Sequence, residues 1–451
     1  MNGAAAAPAR AAMLQRFCAV RAASERLMAS LPPEDFRIQS MPDVSPPFWN
    51  LGHTSWFFAA NVLRPLGREP AGFAGFDYTF NSYYEGIGPR LPRAQRGRIA
   101  QPGTDAVRAY RSAVDAAMQQ WIEQCPDAQL PALDEVLTIG IEHEQQHQEL
   151  FVTEILHIRS SAPPAMRQAY APAVATAHRH EGGRHQPAPL RAVPFAAATT
   201  WLGHDESGFA WDNEHPAHRV QVGDFALGDR LITNAEWLAF VQDDGYRRPL
   251  LWLSNGWTAA QQHGWQAPLH WERHDDRWQR WTLRGLVDVA PAAPVCHVSF
   301  YEADAFARWY GEQFAAWRHA RLPREHEWEH AARVHGFDQR GGNLLDADDA
   351  AAFAHTAFDA LPAADHAGAP RLQQLAGDVW QWTLSHYEPY PGYRPFAGAL
   401  MEYNGKFMDN QRVLRGGSFA TPRRQARRGY RNFWPADTRF QATGLRLLVD
   451  G

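Results

Sequence analysis

Cysteine is scarce: Cys18, Cys125 and Cys296 are the only three in 451 residues. An odd, widely spaced trio excludes a disulfide-built scaffold and a cysteine-rich zinc module, and it fits a reducing compartment, so a cytoplasmic location is expected. Long apolar runs are lacking as well. No stretch approaches the roughly 18 apolar residues of a membrane helix, and the alanine-rich start is broken by Pro8 and Arg10 before a secretory core can form. Positive charge is not in excess: 44 basic against 49 acidic residues leave a net charge of −5. The chain as a whole therefore carries no electrostatic footprint for nucleic acid or an anionic membrane. No internal repeat occurs at solenoid periods.

What is present is enough apolar sequence for two large cores, and the length exceeds what a single core supports. Apolar positions recur at helical spacing over residues ~10 to 30, ~46 to 64, ~104 to 123 and ~131 to 159, separated by breakers such as Pro32-Pro33 and Pro126. Four such elements predict an antiparallel four-helix bundle over 1–165. The connection from 65 to 103 is too long for a turn and carries the run Phe80-Asn81-Ser82-Tyr83-Tyr84-Glu85. Residues 166–194 read as a linker rich in Ala, Pro and His, with His178, His180 and His185 in a solvated stretch. From 195 to 451 the texture changes to short apolar pieces with many Trp and Gly, and only 234–243 and 299–317 read as helices. Ser299 with Glu302 forms a capping-box pattern. The fold class is α+β: a helical bundle followed by a loop-rich domain.

The strongest chemical signal is Glu142-His143-Glu144-Gln145-Gln146-His147-Gln148-Glu149 on the fourth helix. Two imidazoles four residues apart share one helix face and can chelate one metal. Val136, Gly140, Leu150 and Phe151 continue that stripe, which aims both histidines into the bundle core. Residues 143 to 147 also spell H-E-x-x-H, the helix in which a zinc protease uses Glu as general base. The extended metzincin form fails, since Leu150 and Thr153 stand where Gly and His belong. A third ligand should come from another helix, and His53 beside Gly52 on the second is the best candidate. Three neutral imidazoles suit Zn, Fe, Cu or Ni, so spacing predicts a metal without naming it.

His53, the motif His143-x-x-x-His147-x-Glu149 and the Phe80-to-Glu85 run together resemble the ergothioneine-biosynthesis sulfoxide synthases, the EgtB family. The second half extends the resemblance through Trp211-Asp212-Asn213-Glu214, Thr233-Asn234, Leu251 to Trp257, Gly377 to Thr383 and Leu414-Arg415-Gly416-Gly417-Ser418-Phe419. These are similar to the family's formylglycine-generating-enzyme-like (sulfatase-modifying factor, C-type-lectin-like) domain. The resemblance implies a DinB-like bundle holding Fe(II) through His53, His143 and His147. It also implies an O2-dependent reaction joining a thiol donor's sulfur to the imidazole C2 of hercynine, the trimethylated betaine of histidine, with substrates lying between the domains. Three protein ligands would leave open positions for substrate.

By the same resemblance Gln146, and less directly Gln145, contacts hercynine, and Tyr83 and Tyr84 are the active-site phenols, able to deliver a proton during oxygen chemistry. Arg90, Arg93 and Arg96 offer bidentate forks for a donor carboxylate. Asn432, Phe433 and Trp434 supply polar contacts and aromatic faces suited to a quaternary ammonium. Trp434 stands where the actinobacterial subtype, which uses γ-glutamylcysteine, has Asp. That departure favours free cysteine as donor. The expected partners are hercynine, a thiol and O2, with no nucleic acid and no membrane. Related selenoneine or 5-thiohistidine synthases are the alternatives within the class, and a zinc hydrolase or a non-catalytic metal-stabilised module lies outside it. A formylglycine-generating oxidase would need reactive cysteines in the second half, where Cys296 stands alone.

Overall fold

The structure is a computed structural model that describes residues 3–29, 31–163, 166, 186–205, 207–346, 358–364 and 368–451. The histidine-rich run at 178–185 lies outside the described residues. Two compact units are present. The first holds the N-terminal residues together with two short returns from later in the chain, of which Ala397–Glu402 is the longer described one.

In the first unit the helices are α1 (Gly3–Met28), α2 (Pro47–Phe58), the short α3 (Phe76–Phe80), α4 (Thr104–Gln124) and α5 (Leu130–Ser161). Prolines punctuate them as expected: Pro47 opens α2, and Pro126 follows the end of α4. Every one of the twelve residues of α2 is buried, which makes it the central helix, packed on α4, α5 and α3, while α1 lies along α5. A π-helical turn, Ala59–Leu63, extends it before the long connection.

Two glycines let rings into this core. A Cβ on Gly140 of α5 would stand 2.4 Å from the Phe58 ring, and one on Gly52 of α2 would stand 2.2 Å from the Phe80 ring. Gly52, beside His53, thus seats the aromatic side chain that ends α3.

The second unit is α+β. Its strands are β1 (Ala192–Phe195), β2 (Ala198–Leu202), β3 (His218–Val222), β4 (Phe225–Gly228), β5 (Trp271–His274), β6 (Arg277–Thr282), β7 (Gly285–Asp288), β8 (Trp380–His386), β9 (Gln411–Arg415), β10 (Asn432–Pro435), β11 (Thr443–Gly444) and β12 (Leu448–Asp450). Among the described residues they form sheets ordered β1-β4-β12, β10-β9-β8-β11, β2-β3 and β5-β6-β7. β1 starts inside the segment read as linker. Its helices are α6 (Asn234–Gln242), α7 (Ser254–Gln262), α8 (Phe300–Gln313) and α9 (Glu325–His335). The Ser299/Glu302 capping box opens α8 as its sequence predicts. Val193, Phe195, Val222, Phe225, Leu227, Ala331 and Leu448 close one core.

The motif residues of this unit largely build it. Arg415 of β9, fully buried, pairs with Glu325 and Glu329 of α9, and Arg431 completes the cluster on Glu325 at 2.7 Å. Asp212 accepts hydrogen bonds from Asn404 at 2.6 Å and Tyr393 at 2.9 Å. Such fully paired buried charges specify one packing, and removing one partner leaves the other stranded.

Candidate functional site

The sequence of α2 and α5 brings three imidazoles to one point. His53, His143 and His147 are all buried, and one nitrogen from each lies within 4.8 Å of the others. The Nε2 atoms of His53 and His143 face each other at 3.2 Å. His53 Nδ1 lies 2.7 Å from the carbonyl oxygen of Phe80, which can only accept, so Nδ1 carries the proton and Nε2 keeps its lone pair. His147 Nδ1 lies 3.0 Å from Asn50 Oδ1, which assigns the same tautomer.

Burial, and then each neighbour's charge, holds His53 and His147 well below the ordinary imidazole value, and burial lowers His143 to about 3. All three are neutral at pH 7, the form that binds a metal. Three converging neutral imidazoles, with the tautomers of His53 and His147 set by their Nδ1 partners, therefore fit a metal ion.

Around this point the rings form a column. Trp49, one turn before His53, stacks on it at 4.7 Å and 16°, and Trp56, one turn after, stacks on it at 5.8 Å and 18°. Arg96 lies over the Trp49 ring, 3.3 Å from the centroid, and donates to Ser45 Oγ and Ser82 Oγ. Tyr84 meets Trp56 at 5.7 Å and stacks on Tyr83 at 4.6 Å. The Tyr84 phenol is fully buried, and burial first, then Tyr83, pushes its pKa well above the usual value, so it keeps its proton. Asn81 holds the loop by accepting from Tyr84 N–H at 2.9 Å and donating to the Tyr84 carbonyl at 2.9 Å. Glu402 clasps it from outside, accepting from the N–H groups of Glu85 at 3.1 Å and Gly86 at 2.9 Å.

The three loop arginines separate by environment. Arg96 is buried in the column, whereas Arg90 pairs with Glu85 at the surface and Arg93 reaches the carbonyl of Asp43. Gln145 is fully buried beside the histidines in sequence, and Gln146 is half-buried. In the second unit, Asn432, Phe433 and Trp434 are the half-buried residues of β10, paired antiparallel with β9. Phe433 stacks on Tyr387 at 3.9 Å, Trp434 meets Phe440 edge-on at 5.3 Å, and Asn432 Oδ1 accepts from Phe433 N–H.

Glu144 is not at the histidine cluster's service. Its carboxylate accepts from Arg21 at 2.7 Å, Arg111 at 2.8 Å and Ser24 at 2.6 Å, in a buried network that ties α1, α4 and α5 together. Against the penalty of burial, Arg111 and Arg21 hold its pKa down to about 2. An acid so committed has no basicity left for activating water.

Two family patterns divide the chain: the DinB superfamily matches residues 16–151, and the sulfatase-modifying factor enzyme 1-like domain matches residues 194–451. A hercynine oxygenase of Mycolicibacterium thermoresistibile is 31% identical over 472 residues, covering 99% of this chain and 96% of the relative. The chain belongs to the EgtB-like hercynine oxygenase family. A hercynine oxygenase of Mycolicibacterium smegmatis is 32% identical over 439 residues, covering 91% of this chain and 92% of that relative. The formylglycine-generating enzyme of Streptomyces coelicolor is 29% identical over 246 residues, covering 47% of this chain and 73% of that enzyme.

For this EgtB-like chain the rival chemistries lose their residues. The H-E-x-x-H reading needs Glu144, which the arginines hold. The formylglycine reading needs a reactive thiol, yet Cys296 is buried and desolvation pushes its pKa far up, away from the thiolate. The sequence reading missed Asn50, Glu154, Trp49 and Trp56. Spacing could have found Asn50 and Glu154, because Asn50 precedes His53 by three residues and Glu154 follows His147 by seven, each on the ligand's own face.

Proposed function

We propose that this chain is a non-haem iron, O2-dependent sulfoxide synthase acting on hercynine, with His53, His143 and His147 as the metal-holding residues. The observation that carries the reading is the convergence of three neutral imidazoles, two of them with the tautomer set by a hydrogen bond at Nδ1, in a chain similar along its whole length to hercynine oxygenases. In the overall reaction the imidazole C2–H and the thiol S–H bonds break, and a C2–S bond forms. One oxygen atom of O2 ends on sulfur, and the other leaves as water. An iron bound at the triad supplies open coordination positions and the redox chemistry with O2.

The chain's own residues have the remaining tasks. Tyr84 keeps a proton at Oη, two ring contacts from His53, and Tyr83 stacks against it. Gln146, with Gln145 behind it, is assigned to the hercynine imidazole. Asn432, Phe433 and Trp434 are assigned to its betaine end; Trp434 is preferred for the trimethylammonium because Phe433 already stacks on Tyr387. Arg90 and Arg93, at the surface, are preferred over the buried Arg96 for a donor carboxylate. Free cysteine is the favoured donor, because Trp434 leaves no acid to hold a glutamyl amine.

The test is aerobic incubation of the Fe(II)-loaded chain with hercynine and, separately, cysteine, γ-glutamylcysteine or a selenosugar, followed by mass spectrometry. The hercynine–cysteine sulfoxide is the expected product. Preference for γ-glutamylcysteine or selenium overturns the donor, a C5-linked product moves the chain to the 5-thiohistidine class, and failure of every donor overturns the function.

A further inference from the structure

A buried polar chain in the bundle ends on His147. Asn50 Oδ1 accepts from His147 Nδ1–H at 3.0 Å, and Asn50 Nδ2 donates to Glu154 Oε2 at 2.5 Å. Glu154 Oε1 accepts from the backbone N–H of Ser45 at 3.0 Å, and Ser45 Oγ accepts from Arg96 at 2.8 Å. Asn50, Glu154 and Arg96 are each no more than 2% exposed. The directions agree along the chain. Glu154 accepts from both Ser45 N–H and Asn50, so the Asn50 amide turns its NH2 to Glu154 and its oxygen to His147.

We infer that Asn50 is a positioning residue for the metal site, setting His147 with Nε2 toward His53 and His143, and that Glu154 locks the Asn50 amide in the orientation this needs. A metal-bound imidazole depends on the partner of its other nitrogen for tautomer and ring orientation. His53 has a backbone carbonyl for this, Phe80 O, which no side-chain substitution removes. His147 has a side chain, and that side chain can be turned or exchanged. Burial pushes the Glu154 carboxyl up to about 8 against the hydrogen bonds of Ser45 and Asn50, with Arg93 and Arg96 facing it. The carboxyl is held in place by hydrogen bonds, and it serves as an anchor where Glu144 serves as an ion-pair hub.

The inference rests on the metal-site reading above but not on hercynine chemistry, so its test uses metal alone. Co(II) binding to the full chain is measured by chelator competition and by the visible spectrum, which reports the ligand set, with the melting temperature of the metal-free protein as the control for folding. Asn50→Ala should lose roughly 10–100-fold in affinity at little cost in metal-free stability. In a His147→Ala background the same substitution should cost almost nothing more, because the nitrogen it orients is gone. Asn50→Asp should bind weakly, because it removes the amide donor that Glu154 accepts from and sets two acids on one hydrogen bond. Asn50→Asp combined with Glu154→Gln restores a donor–acceptor match and should recover affinity, which decides the matter even where Asn50→Ala folds poorly. Wild-type affinity in Asn50→Ala, an equal loss in both backgrounds, or no recovery in the double exchange each overturns the inference while leaving the triad intact. A wild-type chain that binds no Co(II), or whose affinity survives His147→Ala, overturns the metal reading and this one with it.

Discussion

At the scale of single residues, the contrast between Glu144 and Tyr84 is instructive, because each is buried and each keeps the charge state its neighbours dictate. Glu144 folds with its pKa at about 2 against an ordinary value near 4.5. Its contribution to stability is therefore fully present above about pH 4.5 and is lost as pH falls toward 2, on the order of 3 kcal/mol for the shift. Glu144→Gln should flatten the acid limb of an unfolding curve measured from pH 6 to pH 2.5, while destabilising at neutral pH by about 3 kcal/mol because Arg21 and Arg111 lose a buried partner. If the acid limb is unchanged, the Arg21–Glu144–Arg111 cluster does not govern acid stability. Tyr84→Phe deletes only the Oη proton, in a ring clamped between Trp56 and Tyr83. Metal content and hercynine binding should persist, with sulfoxide formation slowed or diverted to simple thiol oxidation; an unchanged product ratio would leave Tyr84 a packing role.

At the scale of elements, two absent side chains set close approaches: Gly140 of α5 seats Phe58 of α2, and Gly52 of α2 seats Phe80 of α3. Gly140→Ala drives a methyl into Phe58 and Gly52→Ala drives one into Phe80. Each should cost roughly 1–3 kcal/mol in chemical denaturation. Gly52→Ala should in addition weaken metal binding, since displaced Phe80 carries the carbonyl that orients His53; equal metal affinity in both variants would show that this link is slack.

The elements also show what the sequence discloses. The four long helices and the three histidines were legible because periodicity and i,i+4 spacing are local signals. Asn50 and Glu154 were missed, although their spacing placed them on the ligand faces, because a polar residue on a buried face has many readings until its partner is seen. The environment of Glu144 was invisible for the same reason: Arg21 and Arg111 lie 123 and 33 residues away. In the second unit α7 was hidden by Gly256, which reads as a breaker but is a contact point for Tyr301. The highly charged α9 hides its burial, since Glu325 and Glu329 look like surface residues until Arg415 and Arg431 are found beside them.

At the scale of the whole molecule, the two units have separate cores, and the triad belongs to the first. A metal binding only the folded first unit stabilises it by about 4 kcal/mol at a thousandfold excess over Kd. Calorimetry should then show one transition rising with added Co(II) and another staying put; a single transition that moves as a whole would mean that the two cores melt together. The chain also carries its own gauge of this event. Of its 18 tryptophans, Trp49 and Trp56 both stack on His53. A metal entering between the imidazoles changes the electronic surroundings of those two indoles directly, so its arrival can be read as quenched emission and altered near-ultraviolet dichroism, without a label or a turnover.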